Sequence, residues 1–124
     1  MSRILVIDDE PHIRKIIHEL LVLDGHEIDQ AENGKVGLEL IERHRYALII
    51  TDIVMPEQDG LEVIMELKRL YPSLRFIVMT GGGDRLDVNS LLKMATLMGA
   101  ERVMPKPLDF EKLRVAVKEI LDAE

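Results

Sequence analysis

Three aspartates, Asp8, Asp9 and Asp52, follow on two short apolar runs, residues 4–7 and 47–50, that read as buried strands. Brought into one crevice, these carboxylates would repel one another, and such a site is stable only with a proton or a hard cation between them. Magnesium is the natural candidate. Two further residues hold equivalent places at the ends of expected strands: Thr80 after residues 76–79 and Lys106 after residues 101–104. Carboxylates, a metal, a hydroxyl and a lysine around one crevice describe phosphoryl-transfer chemistry, in which a protein mainly positions groups and stabilises charge on oxygen. Taken singly, Asp8 and Asp9 would read as caps of the following helix, Thr80 as a strand-end hydroxyl and Lys106 as a solvated loop residue. Their joint placement favours the chemical reading.

The elements that must position them alternate along the chain. Apolar runs of four to six residues are separated by segments of helical period, the pattern of a parallel sheet with crossover helices. The runs 4–7, 47–50 and 76–79 are apolar throughout, as strands buried on both faces must be. Residues 27–31 and 101–104 are interrupted by polar side chains and suit the sheet edges. A first helix opens at Pro11, buries Ile13, Ile16, Ile17, Leu20 and Leu21, and stops near Gly25. A second runs from Gly34 to His44, and a third follows Gly60 and buries Leu61, Ile64, Leu67 and Leu70. A fourth lies between the Gly81-Gly82-Gly83-Asp84 loop and Gly99, and a fifth buries Phe110, Leu113, Val117, Ile120 and Leu121. The expected fold is α/β: a flavodoxin-like, doubly wound, five-stranded parallel sheet of order 2-1-3-4-5 with five helices, residues 1–124 forming one domain. That strand order is a general property of such folds, not a result of the periodicity. In it, ligands bind at the carboxyl ends of strands one and three, where Asp8, Asp9 and Asp52 stand.

Composition narrows the functions. With 16 basic against 23 acidic residues and a net charge of −7, the chain has no basic footprint for direct binding to nucleic acid or an anionic membrane. The absence of cysteine excludes disulfides, thiolate zinc sites and cysteine nucleophiles, and fits a reducing compartment. His12, His18, His26 and His44 are scattered without metal-binding spacing, so they read as surface or boundary residues. No run reaches the length of a signal-peptide core or a membrane span, and the expected location is the cytoplasm. The glycine run 81–83 lacks the spacing of a nucleotide loop and reads as a hinge. Among the seven methionines, Met94 lies with Leu97 off the apolar stripe of the fourth helix, where they would form a docking face.

Four sequence pieces then coincide: Asp8-Asp9-Glu10, the stretch from Asp52 through Met55-Pro56 to Asp59-Gly60, Met79-Thr80-Gly81, and Lys106-Pro107. In this order, at the ends of these strands, they resemble the receiver domains of two-component response regulators over the whole chain. The resemblance implies that Asp52 takes a phosphoryl group from a phosphohistidine on a sensor histidine kinase or histidine phosphotransfer protein. It implies that Asp9, Asp52 and the backbone carbonyl of Val54 bind Mg²⁺, with Asp8 acting nearby or through water. Lys106 would pair with one phosphoryl oxygen and Thr80 with another. The Thr80 contact would shift the face of helix four, strand five and helix five toward an unidentified downstream protein. A cis peptide is implied at Lys106-Pro107.

The sequence also departs from the pattern. Most relatives carry Tyr or Phe three residues before the lysine, whereas this chain has Val103. Either valine packing with loop movement suffices, or output is weaker or leaves by another surface. Val54 and Gly82 stand two residues after Asp52 and Thr80 and carry no base, so slow self-dephosphorylation is expected. Such a chain would not be a conventional enzyme. An aspartate-nucleophile phosphatase generally places a second Asp at the position of Val54, and a flavin carrier would not place Asp8-Asp9-Glu10 in its first loop. The remaining alternative is a phosphorylation-independent interaction adaptor on the same fold.

Overall fold

The computed structural model describes residues 2–55, 58–80 and 88–122. Along the chain these form β1 (Arg3–Ile7), α1 (Pro11–Leu23), β2 (Glu27–Ala31), α2 (Gly34–Arg43), β3 (Leu48–Asp52), β4 (Val54–Met55), β5 (Gln58–Asp59), α3 (Gly60–Leu70), β6 (Phe76–Thr80), α4 (Val88–Leu97), β7 (Arg102–Pro105) and α5 (Phe110–Asp122). The main sheet is parallel and ordered β2-β1-β3-β6-β7. This is the expected 2-1-3-4-5 order, with β6 and β7 as its fourth and fifth strands. The short antiparallel pair β4-β5 sits apart from it, with Val54 opposite Asp59 and Met55 opposite Gln58. Strands of two residues carry no period, so nothing in the hydrophobic pattern announces them.

Side chains of a strand alternate between faces, and the core divides accordingly. Ile4, Val6, Leu48, Ile50, Ile77 and Met79 pack on one face against α1 and α5. Leu5, Ile7, Ile49 and Phe76 pack on the other with Ile41 of α2 and Val63 and Leu67 of α3. Next to this second group Val78 meets Ile53 and Ile64, with Met98, Ala100 and Val103 packed around them. Every residue of β3 and β6 is buried, while β2 and β7 are only partly so, which makes the two interrupted runs the sheet edges.

Two positions of the predicted stripes are corrected. Ile16 is 37% exposed and Leu70 is 46% exposed, while Val63 and Ala116 are buried. The buried stripe of α1 follows Ile13, Ile17 and Leu21, a spacing of four that leaves Ile16 a quarter-turn to the side. Leu70 is the last residue of α3. Helix α1 begins with Pro11 at its first turn and ends before Gly25, whose φ of 93° explains the glycine there. On the opposite face α2 lies so close to β1 that a Cβ on Gly37 would stand 2.5 Å from Ile7 Cδ1.

Edge strand β2 is held by a polar clasp. The Tyr46 hydroxyl donates to Asp29 Oδ2 at 2.6 Å, and Arg3 Nε donates to the same oxygen at 3.0 Å. Burial alone would raise the Asp29 carboxyl, but these two hydrogen bonds outweigh it and hold the carboxyl below its ordinary range. A depressed carboxyl stabilises the fold above its unfolded pKa and loses that contribution as pH falls through the folded value. Asp29→Asn is therefore expected to lower stability by about 1 kcal/mol at neutral pH. Urea denaturation should show the gap between variant and wild type closing in acid; a gap that persists unchanged below the carboxylate range would remove the clasp from the account.

Among the described residues no helix is long and apolar enough to cross a membrane.

Candidate functional site

Strand β1 delivers Asp8, β3 ends on Asp52, β6 ends on Thr80, and Lys106 follows β7. The parallel register sets β1, β3, β6 and β7 side by side with their carboxyl ends at one rim, so the four positions converge. The Lys106 ammonium lies between two carboxylates, donating to Asp52 Oδ2 at 2.7 Å and to Asp8 Oδ2 at 2.9 Å. Glu10 Oε2 is a more distant third neighbour at 3.8 Å. Asp8 and Thr80 are fully buried and Asp52 is 3% exposed. Burial would lower the Lys106 ammonium; the hydrogen bonds to Asp52 and Asp8 prevail and hold it above the ordinary lysine value.

Asp8, Asp9 and Asp52 each offer one carboxylate oxygen, and these oxygens lie within 4.8 Å of one another. Asp9 is the exposed member, at the mouth. Oxygen-only donors at this separation suit a hard divalent cation, which favours carboxylate, carbonyl and water ligands. Against three carboxylates the single ammonium leaves a net charge of about −2 at the crevice, so the electrostatics fit a divalent cation as well. Val54 opens β4 two residues after Asp52, where its backbone follows the site. The Lys106–Pro107 peptide is cis, as the resemblance implies.

Backbone bonds fix the frame. The Asp8 N–H donates to the Ala31 carbonyl at 3.1 Å, and Asp8 Oδ1 accepts from the Glu10 N–H at 2.8 Å. The capping alternative is thus met only in part: one oxygen of Asp8 turns the chain into α1, while the other is on Lys106. The Ile53 N–H donates to the Met79 carbonyl at 3.0 Å, the Lys106 N–H to the Thr80 carbonyl at 2.9 Å, and the Thr51 hydroxyl to the Asp52 carbonyl at 3.1 Å. Arg14 escapes the sequence reading, and Glu10 enters it only as part of the Asp8-Asp9-Glu10 piece, with no role of its own beside Lys106. Arg14 Nη1 donates to the Asp8 carbonyl at 2.6 Å. No short-range signal marks Arg14.

Other expectations fall elsewhere. Val103 is partly buried in β7 against Ile53, Ile64 and Val78. The Gly81–Gly83 hinge, including Gly82, lies outside the described residues, as does the side chain of Met94. Leu97 is 84% exposed on α4.

Residues 4–118 match the response regulator receiver domain. The chain is 32% identical over 120 residues to sporulation initiation phosphotransferase F of Bacillus subtilis, covering 97% of this chain and 94% of that protein. Among solved structures, a response regulator receiver domain protein from Clostridium thermocellum superposes with a TM-score of 0.88 at 30% identity, over 99% of this chain and 96% of that one. Response regulator protein TrrA from Thermotoga maritima, in complex with Mg²⁺-BeF, does so at 0.79 and 37% identity, over 97% and 99%. The chain also matches longer transcriptional regulators, of whose length it spans 24% to 51%.

Proposed function

The chain belongs to the response regulator receiver domain family, whose members serve phosphorylation-dependent signalling, and from that premise we propose that Asp52 is its phosphoacceptor. Receiver domains take phosphate from histidine kinases or phosphotransfer proteins, and a partner of that kind is the donor in this reading. The observation that carries it is the Lys106 ammonium seated between Asp8 and Asp52, at the rim where strand order reverses. An Asp52 oxygen attacks phosphorus in line; the donor's bond to phosphorus breaks, its electron pair stays with the donor imidazole, and an acyl phosphate forms. Lys106 then moves from the free carboxylate to a phosphoryl oxygen, and the Thr80 hydroxyl donates to another.

Mg²⁺ would be held by Asp9, Asp52 and the Val54 carbonyl, with Asp8 nearby or through water, and would offset the charge of the incoming phosphoryl oxygens. The carboxylate cluster and the Mg²⁺-BeF complex of TrrA support that part of the reading. Residues Val54 and Gly82 bring no base to the acyl phosphate, so its hydrolysis is slow and the chain is no conventional enzyme. Output leaves through the face of α4, β7 and α5, with Val103 rather than an aromatic ring transmitting the change. The test is intact mass after incubation with acetyl phosphate, with and without Mg²⁺. A single Mg²⁺-dependent phosphoryl group is expected. An unmodified, folded, Mg²⁺-binding chain after several donors and a fast quench would overturn the reading in favour of a phosphorylation-independent adaptor.

A further inference from the structure

Arg14 places a positive charge beside a site that must gather a divalent cation. On Coulomb grounds alone that charge opposes metal binding. Its contacts describe a different task. Nη1 donates to the Asp8 carbonyl at 2.6 Å while Nε donates to Gln30 Oε1 at 3.3 Å, so one guanidinium joins α1, the end of β1 and edge strand β2. The planar fork of arginine suits such a clamp, which the single ammonium of lysine reproduces only in part.

The carbonyl it holds belongs to the peptide linking Asp8 to Asp9. A peptide unit is rigid and planar, so fixing its oxygen also fixes the Asp9 N–H and Cα. Asp8 has anchors of its own, through its N–H to Ala31, Oδ1 to Glu10 and Oδ2 to Lys106. Asp9 is exposed, and among the described residues its carboxylate has no hydrogen-bond or ion-pair partner. Its place within 4.8 Å of the other two carboxylates therefore depends on its backbone. We infer that Arg14 is a positioning residue for the divalent cation, clamping the Asp8–Asp9 peptide so that the Asp9 carboxylate is presented to the site before the metal arrives. This rests on the metal reading given above and goes beyond it in assigning a role to a residue outside the carboxylate set.

The two accounts of Arg14 predict opposite signs. If it acts only as a charge, Arg14→Met tightens Mg²⁺ binding; if it positions, the same variant weakens it. Calorimetric titration of the full chain with Mg²⁺ should show Kd rising about tenfold in Arg14→Met, equivalent to ~1.4 kcal/mol. Arg14→Lys, which keeps the charge but not the fork, should lose about threefold, and Gln30→Met, which frees Nε, about twofold. At Mg²⁺ concentrations that saturate the variant, phosphoryl uptake should return to within about twofold of wild type, a recovery that general damage to the fold would not allow. Should Arg14→Met fail to fold, the other two variants decide by the same titration. Unchanged or tighter Mg²⁺ binding in the folded variants overturns the inference and leaves the metal reading standing. A wild-type chain that binds no Mg²⁺ overturns both.

Discussion

Asp52→Asn is expected to take up no phosphoryl group from acetyl phosphate or from a phosphohistidine donor, with or without Mg²⁺. The amide has neither the charge nor the nucleophilic lone pair of the carboxylate, and no neighbour substitutes for it. Asp8 is fully buried with both oxygens engaged, and Asp9 sits at the mouth. Among the described residues, only Asp52 ends a strand with an oxygen 2.7 Å from the Lys106 ammonium, which in this reading would meet the phosphoryl charge. The loss should be complete within detection, since removal of a nucleophile that works as part of a unit leaves only the residual contribution of the rest. Asp9→Asn supplies the contrast: it keeps the nucleophile and should be modified once Mg²⁺ is raised. Intact mass with peptide mapping measures both, and wild-type uptake by Asp52→Asn would move the acceptor elsewhere.

The second large effect is on stability. Lys106 is the counter-ion of two nearly inaccessible carboxylates, its own side chain 14% exposed against 0% and 5% for Asp8 and Asp52. Removing one partner of a buried ion pair leaves an uncompensated charge, so Lys106→Met should destabilise the metal-free chain by roughly 3 kcal/mol at neutral pH. Mg²⁺ should restore much of the loss, raising the variant's unfolding midpoint more than that of wild type. Because the ammonium is held above the ordinary lysine value, its contribution is complete below that value and is lost only as pH rises through the higher folded one. The wild type should accordingly show no loss from this group across the neutral range. Urea denaturation with and without Mg²⁺ is the measurement. If Lys106→Met matched wild type in both stability and Mg²⁺ response, the ammonium would not be the counter-ion of the pair.

The sheet was legible because burial on two faces leaves a simple trace. Three runs without a polar residue had to be central, and the interrupted runs at β2 and β7 had to be edges. The chemical residues were legible for a related reason: Asp8, Asp52 and Thr80 are polar groups set at the ends of such runs, where a buried strand would otherwise continue, and Lys106 holds the same place after edge strand β7. The same rule hid the true length of β3. Thr51 and Asp52 belong to that strand and are buried, which apolar counting does not anticipate; the Thr51 hydroxyl is satisfied by a carbonyl and the Asp52 carboxylate by Lys106. Helix stripes were less exact, because a spacing of three or four admits neighbours on either flank, as Ile16 and Leu70 show. Arg14 was not legible at all. Its part depends on the first turn of α1 bringing the guanidinium to the carbonyl at the end of β1, and a lone arginine on an amphipathic helix carries no trace of that.

One backbone bond has a mechanical meaning. The Lys106 N–H is tied to the Thr80 carbonyl at 2.9 Å, just beyond the last register pair of β6 and β7, Thr80 with Pro105. The two residues that would grip the phosphoryl group are therefore not independent fingers but opposite ends of a single rung. Thr80 cannot travel toward a ligand and leave Lys106 behind without breaking that bond, so any pull on one strand end is felt at once by the other. A linkage of this kind would pass displacement to edge strand β7 as a lever does, through the main chain. A valine at position 103, packed against Ile53, Ile64 and Val78, would then need only to ride on the strand that the lever moves.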